Sequence, residues 1–244
     1  MRLVFATGAL VAALVVGVVP AAHAGSINPF ATLTVGGQAV NITLTPDPQN
    51  SSVQSFEGLL STDLFDVQVN GTLDANASIL FSLSVENFGT TPLDLSLALG
   101  TPIGPLAFVN AVQSGISGTL TDATGDGFSL QPTLGDPDTD GLAELLVPFV
   151  GDPTNLGIDV GLSTITTGAY GPFTASGFLP GSPLFTSLQV NLGLQLSGNG
   201  DFAALQGSTQ IESAVPEPAT LWLMSTGALA LIGRRRRRRA ARTR

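Results

Sequence analysis

The 244-residue chain carries 18 Asp and Glu against nine Lys and Arg, with one histidine and no cysteine, for a formal net charge of −9. Without cysteine there are no disulfide staples, so stability must come from core burial, to which a bound metal can add. The basic residues are all arginines at the two ends, Arg2, Arg234 to Arg239, Arg242 and Arg244, and the one histidine is His23.

No side chain between Gly25 and Gly233 can therefore carry a positive charge, while every acidic residue except Glu217 lies between Gly25 and Ala214. The body holds about −17, which the whole-chain figure conceals. Such a surface repels nucleic acid and anionic lipid and favours cations. The inventory also excludes Ser–His–Asp, Cys–His and Ser–Lys nucleophiles and histidine-bound zinc. A carboxylate pair of the glycosidase kind survives subtraction. The body has one tyrosine, Tyr170, and no tryptophan, since Trp222 lies beyond it, so sugar-stacking platforms are scarce. A non-catalytic protein is the expectation.

At the N-terminus, Met1-Arg2 is a minimal positive region, Leu3 to Val19 is apolar, and Pro20 precedes Ala22-His23-Ala24. This is the pattern of a secretory signal peptide over residues 1–24, with cleavage expected between Ala24 and Gly25 and passage through the secretion translocon.

From residue 25 to 206 the dominant period is two. Val40, Ile42 and Leu44 alternate with Asn41, Thr43 and Thr45, and Phe65, Val67 and Val69 with Asp66, Gln68 and Asn70. Ile79 to Val85, Leu93 to Leu99 and Leu188 to Leu196 repeat the pattern. Each such run buries one face of an antiparallel strand and wets the other. Turn clusters such as Thr45-Pro46-Asp47-Pro48 and Leu179-Pro180-Gly181-Ser182-Pro183 separate them. The reading is all-β: a single antiparallel β-sandwich, jelly-roll-like, of roughly eight to eleven strands. A β-solenoid is disfavoured, because no period of 20–50 residues recurs. Tyr170, beside Gly171-Pro172-Phe173, reads as a core plug before it reads as a sugar platform. Asn-x-Ser/Thr triplets at Asn41, Asn50, Asn70 and Asn76 reflect a Ser- and Thr-rich composition.

One acidic motif stands out, Asp136-Pro137-Asp138-Thr139-Asp140-Gly141-Leu142-Ala143-Glu144. Carboxylates at positions 1, 3, 5 and 9 can wrap a hard cation, and the glycine at position 6 permits the sharp turn. The segment resembles the calcium loop of integrin-type (FG-GAP) repeats. That resemblance implies side-chain ligands from Asp136, Asp138, Asp140 and Glu144, a backbone carbonyl from Leu142, and calcium as the bound ion. Glu144 stands where aspartate is usual, and no repeat array accompanies the loop, so no propeller is implied. A second stretch, Asp122-Ala123-Thr124-Gly125-Asp126-Gly127, lacks the later carboxylate and reads as a turn.

Residues 207–214 read as a linker. Then come Val215-Pro216-Glu217-Pro218, an apolar stretch from Ala219 to Gly233 broken by one Ser-Thr pair, and six consecutive arginines. As a helix the apolar stretch would span about 22 Å, short against a hydrocarbon core of about 30 Å. Trp222 suits one interface, and the arginines would hold the other end on the cytoplasmic side. A Pro-Glu-Pro signature, a short transmembrane helix over 219–233 and a basic stop, in that order over residues 215–244, resemble the PEP-CTERM sorting signal. The resemblance implies an exported protein, anchored in the envelope by its C-terminal helix and then processed at Pro216, Glu217 and Pro218 by an exosortase-type transpeptidase. It further implies a bacterium that makes exopolysaccharide. The functional expectation is a non-catalytic cell-surface or extracellular-matrix protein associated with exopolysaccharide or biofilm. A carbohydrate-binding module and a permanently membrane-anchored surface protein are the alternatives.

Overall fold

The computed structural model describes residues 28–104, 110–133, 143–149, 152–179 and 185–213, the backbone alone in 143–149 and 152–159. The signal peptide, the transmembrane helix and most of the Asp136 loop lie outside them. Among the described residues every regular element is a strand, and no helix there is long and apolar enough to cross a membrane.

Among the described residues fourteen strands form, more than the alternation alone predicts. The first seven are β1 (Phe30–Val35), β2 (Gln38–Val40), β3 (Ile42–Pro46), β4 (Val53–Ser61), β5 (Phe65–Asp74), β6 (Ser78–Asn87) and β7 (Leu93–Pro102). The rest are β8 (Asn110–Thr121), β9 (Leu130–Pro132), β10 (Ala143–Phe149), β11 (Asp152–Val160), β12 (Gly168–Leu179), β13 (Ser187–Leu196) and β14 (Asp201–Ser213). Part of the surplus is short: β2 and β9 have three residues each, too few to show a period. Residues 207–213, read as a linker, are the second half of β14 and pair throughout with β8 and, as far as Gln210, with β6.

Two antiparallel sheets pack as a sandwich. One runs β11-β10-β13-β7-β1-β2, with β9 also paired to β13; the other runs β12-β8-β14-β6-β5-β4-β3. Strands β3 to β6 follow one another as a meander, and from β7 onward the chain passes back and forth between the sheets. The alternating residues behave as the sequence indicates. Phe65, Val67, Val69, Ile79, Phe81, Leu83 and Val85 are buried from one sheet, and Leu93, Leu95, Leu97, Leu99 and the even positions Leu188 to Leu196 from the other. They join one continuous core.

A row of residues in register crosses the larger part of the second sheet. Phe56 faces Gly71, Gly71 faces Phe81, Phe81 faces Gly207, Gly207 faces Ile116, and Ile116 faces Phe173. Glycine within a strand weakens it, since nothing packs from that position. Here phenyl rings fill the space. A Cβ on Gly71 would lie 2.7 Å from the Phe56 ring, and one on Gly207 would lie 2.3 Å from the Phe81 ring. Phe30 covers Gly100 in the other sheet in the same way. These are cross-strand aromatic–glycine pairs, in which a flat ring takes up the missing side chain's volume.

Tyr170 is buried, as a core plug should be. It precedes a bulge on β12 at Gly171-Pro172, and its ring tilts against Phe173 at 4.8 Å between centroids. The hydroxyl accepts from the Leu162 N–H and donates to the Leu162 carbonyl, both at 2.8 Å. Burial pushes its pKa from 10.0 up to about 12. The folded state thus holds this proton more tightly than the unfolded chain does. Its contribution to stability is complete below pH about 10 and is lost as the pH rises toward about 12. In alkaline unfolding titrations, Tyr170→Phe should remove that step and lower stability at neutral pH by about 1–3 kcal/mol, by orphaning the Leu162 groups.

Candidate metal centre

Three carboxylates from distant parts of the chain meet at one end of the sandwich. Asp122 and Asp126 lie in the loop between β8 and β9, and Asp201 is the first residue of β14. One oxygen from each lies within 4.8 Å of the others. Asp126 is exposed, Asp122 is half-buried and Asp201 has no exposed surface.

Local chemistry sets each of them. The Asp122 carboxylate organises its own loop: Oδ1 accepts from the N–H groups of Thr124 and Gly125 at 3.1 and 2.6 Å, and Oδ2 from Gly127 at 3.0 Å. Gly125 and Gly127 have φ of +73° and +117°, where a side chain would be strained. The stretch is therefore a turn, as the sequence suggests, and it also carries two of the three carboxylates. Asp126 accepts from the Thr124 hydroxyl at 2.6 Å and from the Asn199 side-chain amide. These two bonds hold its pKa below the ordinary 3.8.

Asp201 is placed by the turn Ser197-Gly198-Asn199-Gly200 between β13 and β14. Asn199 and Gly200 both adopt left-handed φ, 64° and 89°. Buried Asn87 fastens this turn, its amide donating to the carbonyls of Thr91, Leu196 and Ser197, while the Asn87 carbonyl accepts from the Gly200 N–H at 2.7 Å. Asp201 Oδ2 accepts from the Ser197 hydroxyl. That hydroxyl also accepts from the Ser129 N–H at 2.6 Å. The Ser129 carbonyl accepts the Ser197 N–H at 2.9 Å and lies 3.0 Å from the Ser197 hydroxyl, so Asp201 Oδ2 and that carbonyl share the single hydroxyl proton.

Asp201 Oδ1 has no partner. Among the described residues only it and Thr101 Oγ1 are buried side-chain atoms without a hydrogen bond. Burial raises the Asp201 pKa, the Ser197 bond opposes the rise, and Asp122 and Asp126 add to it.

Sequence reasoning missed Asp201. Its signal is slight: a Gly-Asn-Gly turn ending in an aspartate that opens a strand, far along the chain from the Asp122 turn it meets. Of the residues singled out from sequence, Asp136, Asp138, Asp140 and Leu142 lie outside the described residues. Glu144 lies on β10, where its backbone stands opposite Asp159 on one side and Asn191 on the other. Ala22, Ala24, Gly25 and the triplet Pro216, Glu217, Pro218 also lie outside.

The chain's C-terminal residues decide its trafficking. Residues 214–238 match the family model of the PEP-CTERM protein-sorting motif. The chain carries a PEP-CTERM sorting domain. A PEP-CTERM protein is exported, directed to the cell envelope and processed by an exosortase. This PEP-CTERM chain matches no curated protein. Among solved structures it is similar to TmCBM61, a carbohydrate-binding module in complex with beta-1,4-galactotriose, at 12% identity and a TM-score of 0.27, covering 60% of this chain and 88% of that one. It is also similar to a protein assigned as an aldose 1-epimerase from Escherichia coli K12, at 10% identity and a TM-score of 0.24, covering 70% of this chain and 68% of that one. At TM-scores this low, neither likeness bears on what this chain does.

Proposed function

We propose that this PEP-CTERM chain is a non-catalytic β-protein of the cell surface or extracellular matrix, associated with exopolysaccharide or biofilm. It is held in the membrane by residues 219–233 until exosortase processing. The observation that carries the reading is the joining of a sorting domain to a sandwich in a stretch, Gly25 to Gly233, that contains no lysine, arginine or histidine. A domain of that charge binds cations and repels anionic surfaces, and cation bridging to acidic polysaccharide follows from the same chemistry. The intact mass of the protein from its own host, in membrane and secreted fractions, tests the proposal. A body that begins at Gly25 and ends near Pro216-Glu217-Pro218, without the arginines, supports it. A chain in the membrane that still carries Arg234 to Arg244 makes the protein a permanent anchor and removes the matrix reading.

Calcium at Asp136, Asp138, Asp140, Leu142 and Glu144 belongs to the same proposal. Calcium at a hundred times its dissociation constant should stabilise the domain by about 2.7 kcal/mol. Asp138→Ala combined with Asp140→Ala should remove that loop's share of the calcium-dependent rise in melting temperature. An unchanged rise would make the loop a plain turn.

One observation favours a carbohydrate-binding module as the second reading. The outer face of the sheet containing β8, β12 and β14 carries shallow grooves lined by Gln113, Gln206, Gln210, Ser117, Ser208 and Thr174. Amides and hydroxyls of this kind hydrogen-bond sugar hydroxyls. Retention of the chain on host polysaccharide in a pull-down, lost in Gln206→Ala with Gln210→Ala, would promote that reading over the first.

A further inference from the structure

We propose that Asp122, Asp126 and Asp201 form a divalent-cation site, best fitted to calcium, that ties the loop after β8 to the turn between β13 and β14. The site uses none of the residues of the Asp136 loop and does not rest on the sorting reading.

Three facts carry it. The first is convergence. Two carboxylates come from one loop and the third from a strand start in the partner region of the chain, and oxygens of all three stand within 4.8 Å of one another. Oxygens about 2.4 Å from a shared calcium can be up to about 4.8 Å apart, so small shifts of the exposed side chains let all three close on one calcium. A magnesium shell is smaller and demands stricter octahedral geometry.

The second is the buried, unpartnered Asp201 Oδ1. An unmade hydrogen bond at a buried atom costs about 1–3 kcal/mol, and more when the group is charged. Its sister oxygen is engaged by Ser197, so Oδ1 keeps its lone pairs open to a ligand.

The third is the lack of any internal counter-ion. No cationic side chain exists between Gly25 and Gly233, so only an outside cation or a captured proton can offset this cluster. The ligand set is all oxygen, which selects a hard cation over zinc or copper. The positions are fixed beforehand: three backbone N–H groups hold Asp122, Thr124 and Asn199 hold Asp126, and Ser197 and the Asn87 clamp hold Asp201.

The test uses the full chain with Asp138→Ala and Asp140→Ala already in place, so that the other acidic loop contributes nothing. Calcium binding is measured by equilibrium dialysis and by the shift in melting temperature. This background should take up one calcium per chain and melt higher with it. Adding Asp201→Asn or Asp126→Asn should weaken binding roughly tenfold or more. In chelator, Asp201→Asn should melt at or above its parent, because the amide removes a buried charge and its repulsion. Asp126 is exposed, so Asp126→Asn keeps the core intact and decides the matter should Asp201→Asn fail to fold. A background that binds no calcium at millimolar concentration, or one whose affinity is untouched by both variants, overturns the site and leaves a captured proton as the neutralising agent.

Discussion

Phe81→Ala should cost about 3–5 kcal/mol and lower the melting temperature by roughly 6 to 20 °C, measured in chelator so that ion binding does not enter. Phe81 is buried in β6, with Gly71 opposite on one side and Gly207 on the other. Its truncation leaves a cavity over Gly207, the glycine its ring covers, with no side chain there to collapse into the space. The neighbouring residue gives the contrast. Leu80 points to the outer face and is 49% exposed, so Leu80→Ala should change stability by no more than about 0.5 kcal/mol. Gly207→Ala should destabilise by about 1–3 kcal/mol, because its new methyl meets the Phe81 ring at 2.3 Å. The double variant Phe81→Ala with Gly207→Ala should then be less damaged than the sum of the two, since the methyl enters the space that the ring vacated. Strict additivity in denaturant unfolding would mean that the ring does not rest on the glycine.

The second large effect is on trafficking. Replacing Pro216, Glu217 and Pro218 together by alanine should abolish processing in the native host. The whole population should stay in the membrane fraction, with a mass that includes Arg234 to Arg244. The apolar stretch from Ala219 to Gly233 is unchanged by the substitution, so insertion is preserved while the signature is lost. Intact-mass measurement separates the outcomes. A variant trimmed like the wild type would show that the processing enzyme reads the helix and the arginines, and that the Pro-Glu-Pro triplet is incidental.

Much of the fold was legible from period two because several strands bury Leu, Ile, Val or Phe at every second position. β6, β7 and β13 do so over at least four successive positions and β5 does so from Phe65 to Val69 before Gly71 breaks the series, and the alternation shows all four. The strands that were not read place small or polar residues on the core face. β8 turns Ser114 and Gly118 inward between Ile116 and its neighbours, and the Ser114 hydroxyl pairs with Thr209 of β14 at 2.9 Å. β14 itself presents Ala203, Leu205, Gly207, Thr209 and Ile211 to the interior. A buried hydroxyl pair and a ring-covered glycine are both satisfied inside, yet each reads as exposed in a pattern of apolar residues. This is why residues 207–213 looked like a linker. The metal cluster was half legible. Asp122 to Gly127 has the composition of an acidic turn and is one. Its third carboxylate arrives from Asp201 through tertiary packing, which no spacing in the chain encodes.

The position of β14 bears on how the domain would carry a mechanical load. It is the last strand, it ends at Ser213, and it runs between β6 and β8 through the interior of its sheet. The sorting motif begins at the next residue. Any tension applied at that end therefore enters along a strand paired with β8 to its last residue and with β6 as far as Gln210. Such a pull loads the two hydrogen-bond ladders in shear, so many bonds must give way together, whereas an edge strand peeled from its end would release them one by one.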